Sequence, residues 1–151
     1  MTPALELLVF GAHLAGEPLN HQLTDAGATL LSAVATAPEY RMHLLDTVPP
    51  KPGVVRVGPA GASLPGELWS VPAEGFGAVA ALLAAPLTLG RVRLADGREV
   101  LGFLCEAIAV TACPVLDPAG GWRGHLAGGR EPGGREPGGR EVVREPEPST
   151  P

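Results

Sequence analysis

The sequence predicts one small α+β domain, with more strands than helices, followed by a low-complexity tail. Three observations carry this. Hydrophobic residues make up 45% of the 151-residue chain, which is enough to expect a packed core. Most apolar runs are short and end at Gly or Pro, as strands do, while one Ala-rich segment shows helical spacing. From Gly128 onward the chain becomes near-perfect repeats of Gly-Gly-Arg-Glu-Pro. Ordering a backbone costs entropy that these repeats have no apolar surface to offset, so residues 127–151 read as a disordered tail and residues 1–126 as the domain.

The elements follow in chain order. Leu5–Phe10 is a short apolar run stopped by Gly11, which predicts a buried strand. Gly16 and Pro18 make Leu14–Asn20 a loop, and Asn20 is placed to cap a short helix over His21–Leu31, interrupted at Gly27. Strands are expected over Ala33–Thr36 and Arg41–Leu45. The prolines of Thr47–Val57 remove backbone donors and fix φ, so a stiff connection should lead into a strand over Val54–Val57. Gly58–Ala62 reads as a turn and Leu64–Val71 as an alternating strand. Ala73–Ala85 is the best helix, with Phe76, Val79, Leu82 and Leu83 on one face. Arg91–Leu94 and Glu99–Glu106 form a hairpin, because Asp96-Gly97 supplies the positive-φ residues a tight turn requires. Ile108–Leu116 is apolar without a clear period, and Gly120–Arg123 ends the ordered part.

Composition excludes several functions. The net charge is −5 and the basic residues are scattered, so neither nucleic acid nor an anionic membrane surface finds a concentrated positive patch. Aromatics at 4% leave the core to Leu, Val and Ala and provide no stacking platform for bases or sugars. Cys105 and Cys113 lie in apolar sequence without metal-ligand spacing and read as buried free thiols. His21, His43 and His125 also lack ligand spacing and read as surface or structural. No metal and no cofactor is expected. The first ten residues carry Glu6 and lack a basic start, so no signal peptide is read and a cytoplasmic location is expected.

The polar residues that interrupt apolar sequence are the site candidates. His13 follows a buried strand at a Gly-Ala turn, where function gathers, and its imidazole suits proton transfer near neutral pH. Lys51 is the only lysine and sits among Pro49, Pro50 and Pro52, whose rigidity would fix an ammonium against a carboxylate. Tyr40, the only tyrosine, offers a hydroxyl to a ligand or to the core. Asn20 and Gln22 are suited to an amide or carboxylate. Glu67 and Glu106 are strand carboxylates that nothing in the sequence brings together.

From Gly11-Ala12-His13-Leu14, with Gly16, Pro18-Leu19-Asn20 and Gln22-Leu23, the chain resembles the C-terminal domain of allophanate hydrolase. The likeness continues through Thr36-Ala37-Pro38, Tyr40-Arg41, Pro49-Pro50-Lys51-Pro52-Gly53 and Val55-Arg56-Val57. It resumes at Glu67-Leu68-Trp69, Phe76-Gly77, Ala85-Pro86-Leu87, Leu94-Ala95-Asp96-Gly97, Gly102–Glu106 and Gly120–Arg123, covering residues 5 to 126. The resemblance implies a γ-glutamyl cyclotransferase-like fold, a small mixed β-barrel with short helices packed on it. It also implies a role in urea degradation, at the step that releases carbon dioxide from a carboxylated product of an amidase. His13 would be catalytic there, with Asn20, Tyr40 and Lys51 binding a small carboxylated urea or carbamate. The resemblance covers the C-terminal domain and not the amidase, so the alternative expected is a non-catalytic module that assembles with a separately encoded amidase or with itself. Cyclotransferases carry a catalytic Glu near the end of the helix that corresponds to Glu74–Ala85. Gly77–Pro86 holds no acid here, so cyclotransferase activity is not expected.

Overall fold

A computed structural model describes residues 3–129. The residues form a mixed five-stranded sheet and a two-stranded antiparallel ribbon, with short helices packed around them. In chain order the strands are β1 (Ala4–Val9), β2 (Thr29–Ala35), β3 (Tyr40–Leu45), β4 (Lys51–Arg56), β5 (Pro65–Pro72), β6 (Leu87–Arg93) and β7 (Glu99–Cys105). The helices are α1 (His21–Thr24), α2 (Ala73–Leu82) and α3 (Gly121–Gly129). The sheet order is β2-β5-β1-β7-β6, and β3-β4 is the ribbon. β1 is central, antiparallel to β5 and parallel to β7. That position explains its near-continuous apolar run: Leu7, Leu8 and Val9 are all fully buried, because both faces of the strand are covered.

The α+β class is as expected, but the barrel is not closed. The edge strands β2 and β6 meet only just past their ends, at a single Thr36–Leu94 bridge. There Ala37 N–H donates to the Arg93 carbonyl and Ala95 N–H to that of Ala35. Along the rest of its length β2 has no second neighbour in the sheet.

Several elements depart from the sequence reading, each for a tertiary reason. The helix expected over His21–Leu31 is one turn, His21–Thr24, ended by Gly27 at φ +87°. Thr29–Leu31 instead begins β2, drawn into the sheet by pairing such as Leu30 opposite Trp69, and runs into the strand expected from Ala33. The expected strand at Val54 begins three residues earlier. Pro52 is tolerated because a two-stranded ribbon leaves one edge of each strand free. α2 stops at Leu82, whose side chain is 55% exposed, while Val79 is buried and Phe76 and Leu83 pack at the core margin. The hairpin turn is as expected, with Gly97 at φ +92° and Asp96 Oδ1 accepting the Arg98 N–H. The expected domain end at 126 falls inside α3, which continues to Gly129; the remainder of the repeat tail lies outside the described residues.

Among the described residues no helix is long and apolar enough to cross a membrane. No three His, Cys, Asp or Glu side chains group as metal ligands there either. Cys105 and Cys113 are free thiols, and burial pushes the Cys105 thiol up.

Candidate active site

β1 carries the chain to Phe10, where it leaves the sheet in a tight turn closed by Leu14 N–H donating to the Gly11 carbonyl at 2.9 Å. Gly11 sits where the start of β4 presses on this turn. A Cβ there would lie 2.1 Å from Pro52 Cδ, so only glycine permits the approach. The close approach brings Lys51, the first residue of β4, beside His13. The two line one cavity with Phe10, Gly11, Ala12, Pro52, Leu87 and Phe103.

His13 is 4% exposed. Its ring meets the edge of Phe103 with centroids 4.8 Å apart. Nε2 lies 2.8 Å from Gln22 Oε1. With that oxygen as acceptor, His13 carries its proton on Nε2, and Nδ1 holds the lone pair that can exchange a proton. Burial holds the imidazolium below its ordinary range; the Gln22 bond opposes this, and the nearby charges of Lys51 and His21 add to it. His13 is therefore neutral at rest, and its imidazolium gives up a proton more readily than a solvated one. Among the described residues, the backbone N–H groups of Ala12 and His13 have no acceptor, and Lys51 has no carboxylate partner. These donors make the cavity wall suited to an anion. The cavity itself is about 10 Å³, the space of roughly one water, so a larger ligand enters only with displacement of its walls.

The four expected residues do not all meet. Asn20 acts on the turn, donating from Nδ2 to the His13 carbonyl at 2.8 Å, and makes no side-chain cap bond to α1. Tyr40 is fully buried at the start of β3, and its hydroxyl accepts the Arg93 N–H at 2.9 Å. It is a core residue tying the ribbon to β6 and does not line the His13 cavity, but a separate one with Met42, Ala62 and Leu116. Three features escaped the sequence reading. Gln22 serves as the partner of His13, the turn amides are free, and Glu67 is buried under the loop, where Ala15 N–H donates to Oε1 at 2.8 Å. Only Gln22 had a signal, its position nine residues after His13 on the same loop-helix segment. His43 is buried, with Nδ1 3.1 Å from the Cys113 carbonyl; Nδ1 of the exposed His21 lies 3.0 Å from the Pro18 carbonyl. A second, larger cavity of about 230 Å³ opens on the far side of Phe10, lined by Leu14, Val34, Trp122, Glu67 and Arg123 among others.

An open mixed sheet with a buried histidine in the turn after its central strand defines a class of small α+β domains, and comparison with known proteins identifies the family. The model of the allophanate hydrolase C-terminal domain matches residues 5–127, and the chain belongs to that family. It is 38% identical over 117 residues to the urea amidolyase of Lachancea kluyveri, covering 76% of this chain and 6% of that protein. It superposes on Kluyveromyces lactis allophanate hydrolase with a TM-score of 0.80 at 34% identity, covering 85% of this chain and 22% of that one. A uropathogenic E. coli-specific protein matches at TM-score 0.77 and 30% identity, covering 83% of this chain and 97% of that one. The fold is thus the cyclotransferase-like one expected, left open rather than closed into a barrel. The chain spans about 6% of the length of the urea amidolyase it matches.

Proposed function

We propose that this domain acts on a small carboxylated urea or carbamate-type substrate and assists its loss of carbon dioxide in urea degradation. The observation that carries the reading is a buried, neutral, hydrogen-bonded His13 beside an unpaired ammonium and two free turn amides. In such a site Lys51 pairs with a carboxylate, and the Ala12 and His13 N–H groups take its remaining lone pairs. Nδ1 of the resting, neutral His13 takes a proton from water as the carboxylate binds, and the imidazolium passes it to the substrate nitrogen as the C–N bond breaks. The bonding pair stays on nitrogen, the hydroxide left from water takes up the released carbon dioxide as bicarbonate, and His13 returns to its neutral state. A depressed imidazolium pKa favours this direction of transfer. Asn20 positions the turn that bears His13.

Calorimetric titration with malonate, a stable small dicarboxylate, tests the reading. Saturable binding that Lys51→Ala weakens supports it, and absence of binding to the intact chain refutes it.

A second reading has its own observation. β2 contains no charged residue, and its Leu30 and Leu31 are 46% and 48% exposed on an edge without a second neighbour. Natural edge strands usually carry charges or prolines that block pairing. A module that assembles with an amidase through this edge would present such a strand. Sedimentation of the chain mixed with a purified amidase, with and without Leu30→Asp, separates this reading from the first.

A further inference from the structure

We propose that Arg123 and Glu67 are positioning residues for His13, clamping both backbone groups of Ala15 and so fixing the turn that carries the imidazole. The proposal deepens the decarboxylation reading and rests on it for what the turn does, while its geometry stands independently.

Glu67 lies on β5 and is 8% exposed, an expensive place for a carboxylate unless its oxygens are satisfied. They are. Oε1 accepts the Ala15 N–H at 2.8 Å and the Trp69 Nε1–H at 3.3 Å. Oε2 accepts Arg123 Nη1–H at 3.1 Å. The same guanidinium donates from Nη2 to the Ala15 carbonyl at 2.6 Å. Ala15 thus gives its N–H to the anion and its carbonyl to the cation of one ion pair, and β5, α3 and the loop close a ring around a single residue.

Inside the loop the remaining bonds are local: Leu14 N–H to Gly11 O, Leu19 N–H to Ala12 O, and Asn20 Nδ2 to His13 O. Packing holds the loop at its start, where Gly11 meets Pro52, His13 meets Phe103 and Leu14 enters the core. The polar ties to β5 and α3 come from the clamp, two residues beyond His13, with Glu17 4.0 Å from the same guanidinium. Neither Glu67 nor Arg123 lines the His13 cavity, so neither touches the imidazole, and the positioning effect proposed passes through the backbone.

The test uses the full chain and follows the His13 imidazole by NMR titration, a readout that needs no substrate. Arg123 is 48% exposed on its side chain, so Arg123→Ala removes the cationic half of the clamp with little loss of packing, frees the Ala15 carbonyl and leaves the Ala15 N–H on Glu67. The released turn hydrates His13, and the imidazole midpoint rises toward its ordinary value. Glu67→Gln keeps an acceptor for Ala15 but loses the ion pair, and the midpoint rises again by a smaller amount. Arg123→Lys keeps the charge opposite Glu67 and restores part of the shift. Charge alone predicts something different: removing a cation raises the midpoint, whereas removing an anion lowers it. Shifts of opposite sign in the two variants, or an unmoved midpoint with a lower Tm, overturn the proposal. Malonate affinity supplies the second arm, with about a tenfold loss expected in Arg123→Ala. If wild-type chain binds no malonate, the functional reading fails while the imidazole titration still decides the clamp.

Discussion

Two cavities flank the turn after β1, and Phe10 forms a wall of both. The larger, about 230 Å³, has room, but its charged groups Glu67 and Arg123 are already paired with each other and with Ala15. The smaller, about 10 Å³, has almost no room, but it gathers Lys51, His13 and two backbone donors without partners. Chemistry follows unsatisfied polar groups. A satisfied ion pair in a roomy cavity is architecture, while an unpaired ammonium beside a buried imidazole has interaction energy left for a ligand.

The comparison can be broken from either side. The largest effect is expected at the imidazole. His13→Ala abolishes carbon dioxide release from a carboxylated urea, measured as released carbonate, while weakening malonate binding less than a lysine change does. Next comes Lys51→Ala. A charge-assisted bond to a carboxylate contributes roughly 1.5–3 kcal/mol, so malonate affinity measured by calorimetry falls tenfold or more. Tyr40→Phe strands the Arg93 N–H and lowers stability by about 1–3 kcal/mol in denaturant unfolding, with malonate affinity of the folded protein unchanged. A Tyr40→Phe protein that folds normally yet cannot bind malonate would return Tyr40 to the site.

Stability should also depend on pH through His13. Its folded-state pKa lies below the unfolded value of 6.5, so the unfolded chain binds the proton more readily. The contribution is complete above 6.5 and is lost as pH falls through the folded-state value. Between pH 7.5 and pH 5, as scanned by Tm, wild type should therefore lose more stability than His13→Gln. The smallest effect is reserved for the larger cavity. Ala33→Leu narrows it from the exposed β2 side and should change malonate affinity less than about twofold, since the sites share no polar partner. A large loss there would show that the roomy cavity is the one that binds.

Elements with a local signal were legible in the sequence. The β6–β7 turn announces itself by Asp96-Gly97, β1 by its uninterrupted apolar run, and α2 by its spacing. Of β2, the second half was legible as the strand expected over Ala33–Thr36; the first half was not, because Leu30 and Leu31 next to Leu23 fit a helical face, and only pairing with β5 decides the matter. At the site, His13 and Lys51 were marked by position and chemistry, and the fold places them on one cavity. Tyr40 carries the same chemical promise, but its hydroxyl serves a backbone donor 53 residues away in the chain. Glu67 and Arg123 were visible as charges, but the ring they make needs three distant segments that no sequence spacing encodes.

Both tryptophans of the chain, Trp69 and Trp122, belong to one neighbourhood. Trp69 donates to Glu67, and Trp122 lines the larger cavity one residue before Arg123. Each is almost wholly shielded from water, at 4% and 3% exposure. Intrinsic fluorescence excited at the indole band is consequently a private reporter of the Glu67 end of the molecule. It registers loosening around Ala15 as a red shift, whereas a far-ultraviolet curve follows every strand and helix, so the two melting curves coincide only while this end unfolds together with the rest.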